Sequence, residues 1–281
     1  MHFLESEFPP SKPEDALFHV IPAPYEKTTS YGKGAARGPA AIIAASQQLE
    51  AFDGTGVPGA AGIHTTKPVS CAGEPRAALR NIERAVSSCL SLSKIPVVLG
   101  GEHTVTLGAI HALVTRRDDF GIIQFDAHAD LRDTYEGTPY SHACVMRRCV
   151  EMGIPLVQFG VRALCLEEHA FRTRRRIPHR DAVSLQGLSR FSGIMPERFP
   201  KNVYVTFDLD AFDPAIMPAT GTPVPGGLFW HQAVSLLQAA TKQRRIIGFD
   251  VVELAPDTHH HAADFLAAQL VYTLMALARA M

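Results

Sequence analysis

The chain has 281 residues, of which 46% are hydrophobic and 20% are charged, and its formal net charge is −1 at pH 7. This length fits one α/β domain with a substantial core, and we expect a single domain over residues 1–281. The nearly neutral charge provides no basic footprint for nucleic acid and no polybasic patch for a membrane surface.

The cysteines and the two terminal segments indicate in which cellular compartment the protein is expected. The five cysteines form no C-x-x-C pair, and an odd count is a poor disulfide framework, which favours a reducing cytoplasm. The first residues, MHFLESEFPP, carry acids and prolines where a secretory signal carries bases and an apolar block. Asp264, Gln269 and Arg279 interrupt the apolar segment 262–281, which predicts a packed terminal helix and no membrane span.

Short β-rich runs alternate with helix-like segments along the chain. The predicted strands cover residues 18–21, 96–99, 122–125, 156–159, 203–207 and 246–252. The predicted helices cover residues 39–50, 75–93, 104–116, 143–152, 231–242 and 262–280. This alternation is typical of βαβ units, and continuous apolar runs fit strands that are buried on both faces. We therefore predict an α/β fold with a mainly parallel sheet.

Acids and imidazoles follow four of these predicted strands. They are Glu102 and His103, then Asp126, His128 and Asp130, then Asp208 and Asp210, and finally Glu253. Any one of them has an ordinary interpretation, because aspartate often ends a strand by capping the next turn. In open parallel sheets, however, functional groups collect beyond the carboxyl ends of the strands. Clustered acids are costly unless something offsets their charge, so the set predicts a functional site.

The charges of this cluster suggest bound cations. Asp126, Asp130, Asp208 and Asp210 carry four negative charges, which two divalent cations would balance. The D-x-H-x-D and D-x-D spacings let neighbouring side chains reach both ions. A carboxylate-rich shell without thiolates suits a hard metal such as Mn²⁺ better than structural zinc. Two metals about 3.5–4 Å apart can hold a bridging water and lower its pKa toward neutrality.

The segments GGEHTVTL, DAHAD, SHAC, FDLDAFDPAIMPATGTPVPGG and DVVELAP occur in this order along the chain. In this the sequence resembles the ureohydrolases, the arginase and agmatinase family, and it is closest to agmatinase. The resemblance extends from the TTSYGKGAARGP loop to DVVELAP. It implies a three-layer α/β/α sandwich around a mostly parallel sheet of about eight strands. It also implies two Mn²⁺ ions per subunit and a homo-oligomer, either a trimer or a hexamer.

The resemblance assigns roles to individual residues. The six metal ligands that it implies are His103, Asp126, His128, Asp130, Asp208 and Asp210. One metal takes His103, Asp126, Asp130 and Asp208. The other takes Asp126, His128, Asp208 and Asp210. Asp126 and Asp208 therefore bridge, and Asp126 is counted among the catalytic residues.

Three further residues match catalytic positions of the family. Glu253 matches the glutamate that binds the guanidinium, and Thr222 matches the threonine that orients it. A planar guanidinium pairs well with a carboxylate. His142 matches the proton-shuttle histidine, which can supply the proton that a leaving amine needs. The implied reaction is hydrolysis of a guanidino compound to urea and an amine.

The segment LRDTYEGTPYSHAC bears on the choice of substrate. The arginase-type contacts to an α-amino acid head are not recognisable in it, which favours agmatine, with putrescine as the amine product. Guanidinobutyrase, guanidinopropionase and aminopropylagmatine ureohydrolase activities are alternatives. Many relatives have glycine after the histidine that corresponds to His142, whereas this chain has Ala143-Cys144. This difference bears on how the side chain of the substrate is recognised. Asp133 and Glu136 could attract a distal ammonium, although a solvated loop explains them equally well.

Two other classes of protein are weaker alternatives. A single-metal zinc deacetylase of related fold would not need His103 and Asp210, so the presence of both residues weighs against this alternative. A non-catalytic metal-binding relative is expected to have lost a ligand, Glu253 or His142, and none is missing.

Three further features are interpreted as structural. We expect the basic cluster Arg172, Arg174, Arg175 and Arg176 to be a solvated surface or interface segment, in preference to a phosphate-binding site. The run His259-His260-His261 is predicted to be a surface loop, because the ligand set is already complete. Cys144 lacks an evident base partner, which favours a packing role over a nucleophilic one.

Overall fold

The strands of the protein form one parallel sheet. The computed structural model describes residues 1–116, 119–188 and 190–279. Within these residues the strands are β1 (Phe18–Ala23), β2 (Ile63–Thr65), β3 (Ile95–Gly100), β4 (Gly121–Phe125), β5 (Leu156–Phe159), β6 (His179–Arg180), β7 (Asn202–Asp208) and β8 (Arg245–Val252). Their order across the sheet is β2-β1-β3-β8-β7-β4-β5-β6, and each neighbouring pair is parallel.

Helices cover both faces of the sheet. They are α1 (Gly38–Ala45), α2 (Pro75–Ser91), α3 (Val105–Thr115), α4 (Val145–Glu151), α5 (Leu166–Arg174), α6 (Ala182–Leu185), α7 (Trp230–Thr241) and α8 (Ala262–Arg279). One apolar core joins the sheet to α1, α7 and α8, and a second joins it to α2, α3 and α4. The protein is therefore a three-layer α/β/α sandwich. None of the helices in the described ranges is long and apolar enough to cross a membrane.

The helices and strands agree with the sequence prediction where the patterns are long. All six predicted strands and all six predicted helices form, with ends shifted by a few residues. Residue 280, the predicted end of the last helix, lies outside the described residues. The missed strands, β2 and β6, have only 3 and 2 residues, too short to show a pattern. The missed helices α5 and α6 flank β6 in the second half of the chain.

The prediction that the basic cluster forms a solvated surface or interface segment was wrong for Arg172, which is buried within the chain. Its side chain is 3% exposed, and its two terminal nitrogens bind the Asp181 carboxylate at 2.7 and 2.8 Å. Arg174, Arg175 and Arg176 are exposed as expected. Arg172 lies on the inner side of α5, and the chain returns with Asp181 as its partner. A buried guanidinium needs such a partner.

A row of polar residues crosses the middle of the sheet just before its carboxyl edge. The strand register pairs Gln158 with Gln124, Gln124 with Thr206, and Thr206 with Asp250. All four residues are 0% exposed. Residues two apart in a strand face the same side, so this row lies directly behind Asp126 and Asp208.

Candidate active site

The carboxyl ends of β3, β4, β7 and β8 bring the predicted site residues around one small cavity of about 20 Å³. The cavity is lined by Thr29, Ser30, Tyr31, Gly32, His103, His128, Asp130, His142, Asp208, Asp210, Gly221, Thr222 and Glu253. Asp126 lies directly behind it, in contact with both His103 and His128. A volume of this size admits about one water-sized group.

Imidazole and carboxylate atoms converge in two overlapping groups. Nδ1 of His103 lies 3.1 Å from Asp126 Oδ2, 3.0 Å from Asp130 Oδ2 and 3.4 Å from Asp208 Oδ2. In the second group, Nδ1 of His128 lies 2.9 Å from Asp210 Oδ2 and 3.6 Å from Asp126 Oδ1. Ligands at right angles around one ion are about 3 Å apart when each bond is about 2.1 Å. The two oxygens of Asp126 face different groups, as a bridging carboxylate requires.

Backbone donors hold three of these carboxylates in place. His128 N–H donates to Asp126 Oδ1 at 2.6 Å, and Asp210 N–H donates to Asp208 Oδ1 at 2.8 Å. Across the sheet, Ala127 N–H donates to Asp210 Oδ1 at 3.0 Å. For Asp208 and Asp210, one oxygen thus accepts a backbone bond and the other faces an imidazole. The alternating D-x-H and D-x-D spacing places each amide where it reaches the preceding aspartate.

His103 supplies the clearest sign that a cation fits this cluster. Its Nδ1 atom is buried and has no hydrogen-bond partner, although three carboxylate oxygens surround it. Its other ring nitrogen, Nε2, is bonded to Thr206 Oγ1 at 2.8 Å. Because the Thr206 hydroxyl donates to Asp250 Oδ1 at 2.7 Å, it accepts the Nε2 proton. In the neutral ring Nδ1 then carries a lone pair directed toward the carboxylates, which is the arrangement of a metal ligand.

Electrostatics favours the same conclusion. Burial and the neighbouring Asp126 raise the pKa of Asp130 to about 7. Burial and the charges of Asp210 and Asp126 raise the pKa of Asp208 well above its ordinary value. Burial lowers the pKa of His103, but contacts with the surrounding aspartates outweigh it and raise that pKa well above the usual value. The protein alone therefore retains protons in this cluster, and divalent cations would replace them.

The residues predicted to handle substrate line the same cavity. Glu253 is 8% exposed, and its Oε1 accepts the backbone N–H of His103 at 2.6 Å. Both Glu253 and Asp130 have left-handed backbones, with φ of 69° and 54°, a strain that is tolerated at functional sites. Thr222 and His142 line the cavity too. Among the described residues no hydrogen bond joins Thr222 to Glu253, so its orienting role stays a prediction.

A larger cavity of about 430 Å³ adjoins the small one. The two share Ser30, His128, Asp130, His142 and Thr222. Further out, the larger cavity is lined by Arg132, Tyr135, Ala143, Ala163, Leu164, Cys165 and Glu168. A compact reaction site therefore opens into a wider chamber, whose outer lining includes the charged residues Arg132 and Glu168.

Asp133 and Glu136 line neither cavity. Asp133 is bound instead by Arg148, with 2.6 Å between Nη2 and Oδ1. Its carboxylate already has a cationic partner, which weakens the suggestion that it receives a substrate ammonium.

Cys144 and the histidine run behave as ordinary structural residues. Cys144 is buried, and burial raises the pKa of its thiol to about 12, so it is not an activated nucleophile. His259, His260 and His261 are exposed, as the surface-loop prediction required. In the described part of the chain, they belong to neither group that could hold a metal ion.

The sequence interpretation noted Glu102 without giving it a role, and it missed the other residues that support the cluster. They are Thr28, Thr106, Gln124, Tyr204, Thr206 and Asp250. Thr106, Tyr204 and Thr206 all donate to the Asp250 carboxylate, at 2.9, 2.8 and 2.7 Å. Gln124 donates to Asp126 Oδ2 at 2.7 Å. The sequence could have identified Gln124, Thr206 and Asp250, because they are polar residues within otherwise apolar strands.

The site is a buried, carboxylate-rich cluster that could hold metal ions, and comparison with known proteins identifies the family of the chain. The model of the Arginase family matches residues 16–277. The chain belongs to the arginase family, which confirms the resemblance. It is a ureohydrolase-type enzyme, a hydrolase of C–N bonds in linear amidines.

Individual relatives match over nearly their whole length. The N(1)-aminopropylagmatine ureohydrolase of Synechocystis sp. is 37% identical over 285 residues, 97% of this chain and 92% of that protein. The agmatinase of Pyrococcus horikoshii is 32% identical over 279 residues, 97% of this chain and 96% of that protein. The crystal structure of agmatine ureohydrolase of Thermoplasma volcanium has a TM-score of 0.86 and 28% identity, covering 99% of this chain and 94% of that chain.

Proposed function

We propose that residues 1–281 form a single dinuclear-manganese ureohydrolase domain that cleaves a guanidino-polyamine to urea and an amine. The observation that carries the proposal is Asp126. Its two carboxylate oxygens face His103 in one ligand group and His128 in the other, at 3.1 and 3.6 Å. One metal would take His103, Asp126, Asp130 and Asp208. The other would take Asp126, Asp208, His128 and Asp210.

Each group around the small cavity has a chemical task. Two divalent cations bound there supply an activated water at neutral pH. Glu253 accepts the guanidinium through its free carboxylate oxygen and so orients the reacting carbon. His142 delivers a proton to the departing amine nitrogen, which lets the C–N bond break without expelling an amide anion. Thr222 completes the wall beside Glu253.

The larger cavity supports a substrate with an extended tail. The guanidinium would be held by Glu253 beside the small cavity, and an aliphatic amine tail would extend into the chamber of about 430 Å³. A relative named N(1)-aminopropylagmatine ureohydrolase is 37% identical to this chain, whereas the Pyrococcus horikoshii agmatinase is 32% identical. We therefore place aminopropylagmatine first. Agmatine, which yields putrescine and which the sequence favoured, is the second candidate, because it fits the same chamber.

A paired substrate measurement tests this order. Urea release by the Mn²⁺-loaded protein is measured with aminopropylagmatine, agmatine, guanidinobutyrate and arginine. We expect a kcat/KM for aminopropylagmatine about 10-fold or more above that for agmatine, since each 1.4 kcal/mol of differential binding is a factor of ten. Equal values, or a preference for agmatine, would reverse the order. Efficient hydrolysis of arginine alone would contradict the proposed substrate class.

Asparagine substitutions test the bridging ligands. Asp126→Asn and Asp208→Asn keep the shape of the side chain but remove one negative charge each. We expect both to lose at least about 10²-fold in kcat, because metal and activated water depend on these carboxylates. Asp15→Asn, a change at an exposed aspartate remote from the site, is the matched control. Retained activity in the two bridging variants would remove the basis of the proposal.

We also propose a cytoplasmic homo-oligomer, trimeric or hexameric. The reducing compartment is supported by the cysteines, since Cys71, Cys89, Cys144, Cys149 and Cys165 are all free. The oligomer rests on family membership, and light scattering of the purified protein tests it.

A further inference from the structure

The hydroxyl of Thr28 lies between a buried carboxylate and the ring of His142. Thr28 belongs to the loop that follows β1. Its Oγ1 lies 2.5 Å from Glu102 Oε1 and 3.2 Å from Nδ1 of His142. The backbone N–H of His142 also donates to Thr28 Oγ1, at 3.1 Å. One hydroxyl therefore contacts the ring and the main chain of the predicted proton shuttle.

The direction of these hydrogen bonds follows from counting protons. A threonine hydroxyl has one proton and two lone pairs. Thr28 gives its proton to Glu102, and one lone pair accepts the His142 backbone N–H. The remaining lone pair can only accept, so Nδ1 of His142 must be the donor. The ring proton then resides on Nδ1, and Nε2 is left for the cavity that His142 lines.

Glu102 is well suited to hold Thr28 in this orientation. It is 0% exposed and lies directly before His103. Its Oε2 accepts the backbone N–H groups of Lys27 and Thr28 at 2.6 and 2.7 Å, and Thr104 Oγ1 donates to its Oε1 at 2.7 Å. With Thr28 Oγ1 included, four donors surround one carboxylate, which fixes Glu102 as an acceptor.

The hydroxyl of Ser141 is the other polar group near Nδ1. Its Oγ lies 3.4 Å from that nitrogen and accepts the backbone N–H of Ala143 at 3.4 Å. Both contacts are longer than those of Thr28. Ser141 caps the short turn at His142–Cys144. Thr28 is therefore the main partner of the His142 ring.

We propose that Thr28, anchored by Glu102, is a positioning residue that keeps the ring proton of His142 on Nδ1 and leaves Nε2 as the atom that exchanges protons. The inference rests on the proposed function, in which His142 protonates the leaving amine. When the C–N bond breaks, the proton on Nε2 of the imidazolium moves to the amine nitrogen. The neutral ring that remains is already the tautomer that Thr28 stabilises. The same ring is then ready to take up the next proton at Nε2.

Kinetics of Thr28 variants provide the first test. Thr28→Val keeps the shape of the side chain and removes the hydroxyl. We expect kcat to fall about 10-fold with KM unchanged. This loss is smaller than the roughly 10²–10⁴-fold that general acid catalysis contributes as a whole. Thr28→Ser restores the hydroxyl and should recover most of kcat. Thr241→Val is the matched control, since Thr241 is buried at the end of α7 and donates to the Leu237 carbonyl. A rise in KM alone, or no recovery with serine, would contradict the positioning role.

A double-mutant cycle separates positioning from general support of the site. If Thr28 acts through His142, Thr28→Val should have no further effect on kcat in a His142→Ala background. The same fold loss in both backgrounds would overturn the inference. If His142→Ala itself leaves kcat unchanged, the shuttle role in the proposed function fails instead.

The tautomer can also be measured without any activity. The ¹⁵N shifts of the His142 ring are recorded in metal-free and Mg²⁺-loaded protein, with the resonance assigned from its loss in His142→Ala. We expect a protonated Nδ1 and an unprotonated Nε2 in the wild type and in Thr28→Ser, and a mixture of tautomers in Thr28→Val. A proton on Nε2 in the neutral wild-type ring would overturn the inference. Absence of urea release from every guanidino compound would contradict the proposed function but not this result.

Discussion

The two ring nitrogens of His103 have different surroundings, and this residue shows how the cluster is organised: Nδ1 faces three carboxylates without a hydrogen-bond partner, and Nε2 is hydrogen-bonded. Nε2 is held by Thr206 at 2.8 Å, and Thr206 is held by Asp250 at 2.7 Å. Tyr204 and Thr106 complete the shell around Asp250. The buried Asp250 carboxylate polarises a chain of hydrogen bonds that ends at the His103 imidazole. This polarisation makes the imidazole a stronger metal ligand. The polar row across the sheet thus supports the proposed metal site from behind.

Removing the Thr206 hydroxyl should weaken metal binding. In Thr206→Val, Nε2 of His103 loses its acceptor, and we expect affinity for Mn²⁺ to fall by about 10-fold or more. Thr206→Ser keeps the hydroxyl and should bind nearly as well as the wild type. Isothermal titration calorimetry on metal-stripped protein measures the change, with Thr241→Val as control. An unchanged affinity in Thr206→Val would show that metal binding does not depend on the hydrogen bond between Thr206 and Nε2 of His103.

At the scale of elements, the site depends on how closely the end of β3 approaches the loop after β1. Gly101 N–H donates to the Ala23 carbonyl at 3.0 Å, and Glu102 N–H donates to the Tyr25 carbonyl at 2.8 Å. On the other side, Glu253 N–H donates to the Gly101 carbonyl at 2.8 Å. Gly101 therefore links three segments, and His103, Glu253 and the Thr28 loop take their positions from it.

A methyl group at Gly101 should disrupt this junction. A Cβ there would lie 2.0 Å from the Tyr25 carbonyl oxygen, a backbone atom that cannot move aside easily. We expect Gly101→Ala to lower the free energy of unfolding by about 3 kcal/mol or more and to reduce urea release in the folded fraction. Gly56→Ala is the control, because a Cβ there meets no atom within 4 Å. Denaturant unfolding compares the two, and equal stability would contradict the close approach.

At the scale of the whole molecule, the buried cluster makes the metal-free fold sensitive to pH. The pKa of Asp130 is about 7 in the folded protein, against an ordinary value of 3.8. Burial also raises the pKa values of Asp208 and Glu253 well above normal. Between the ordinary and the raised values, the folded state binds more protons than the unfolded chain. Stability contributed by these groups therefore falls as pH rises.

We expect the metal-free protein to lose thermal stability from about pH 5 to pH 8. Bound Mn²⁺ replaces the protons, so the increase in Tm on adding Mn²⁺ should be larger at pH 8 than at pH 5. Scanning calorimetry with and without metal measures both effects. Asp130→Asn, which removes one of the titrating groups, should flatten the pH dependence of the metal-free protein. A metal-induced increase in Tm that is the same at both pH values would contradict this electrostatic description.

The sequence predicted the site better than its surroundings, for a physical reason. Asp126, His128 and Asp130 lie within five residues at a strand end, so one local pattern locates them. The contact between Thr28 and His142 spans 114 residues, and no local pattern encodes it. The burial of Arg172 likewise depends on Asp181 returning to meet it. By contrast, Thr206 and Asp250 stand out as polar residues within apolar strands and could have been identified.

Titration of Mn²⁺ into metal-stripped protein tests the central claim most directly. The rate of urea release from aminopropylagmatine and agmatine is followed as metal is added. We predict almost no activity without metal and a rate that rises to a plateau at two equivalents per chain, since both ligand groups share Asp126. A plateau at one equivalent, or urea release that is independent of added metal, would contradict the dinuclear site.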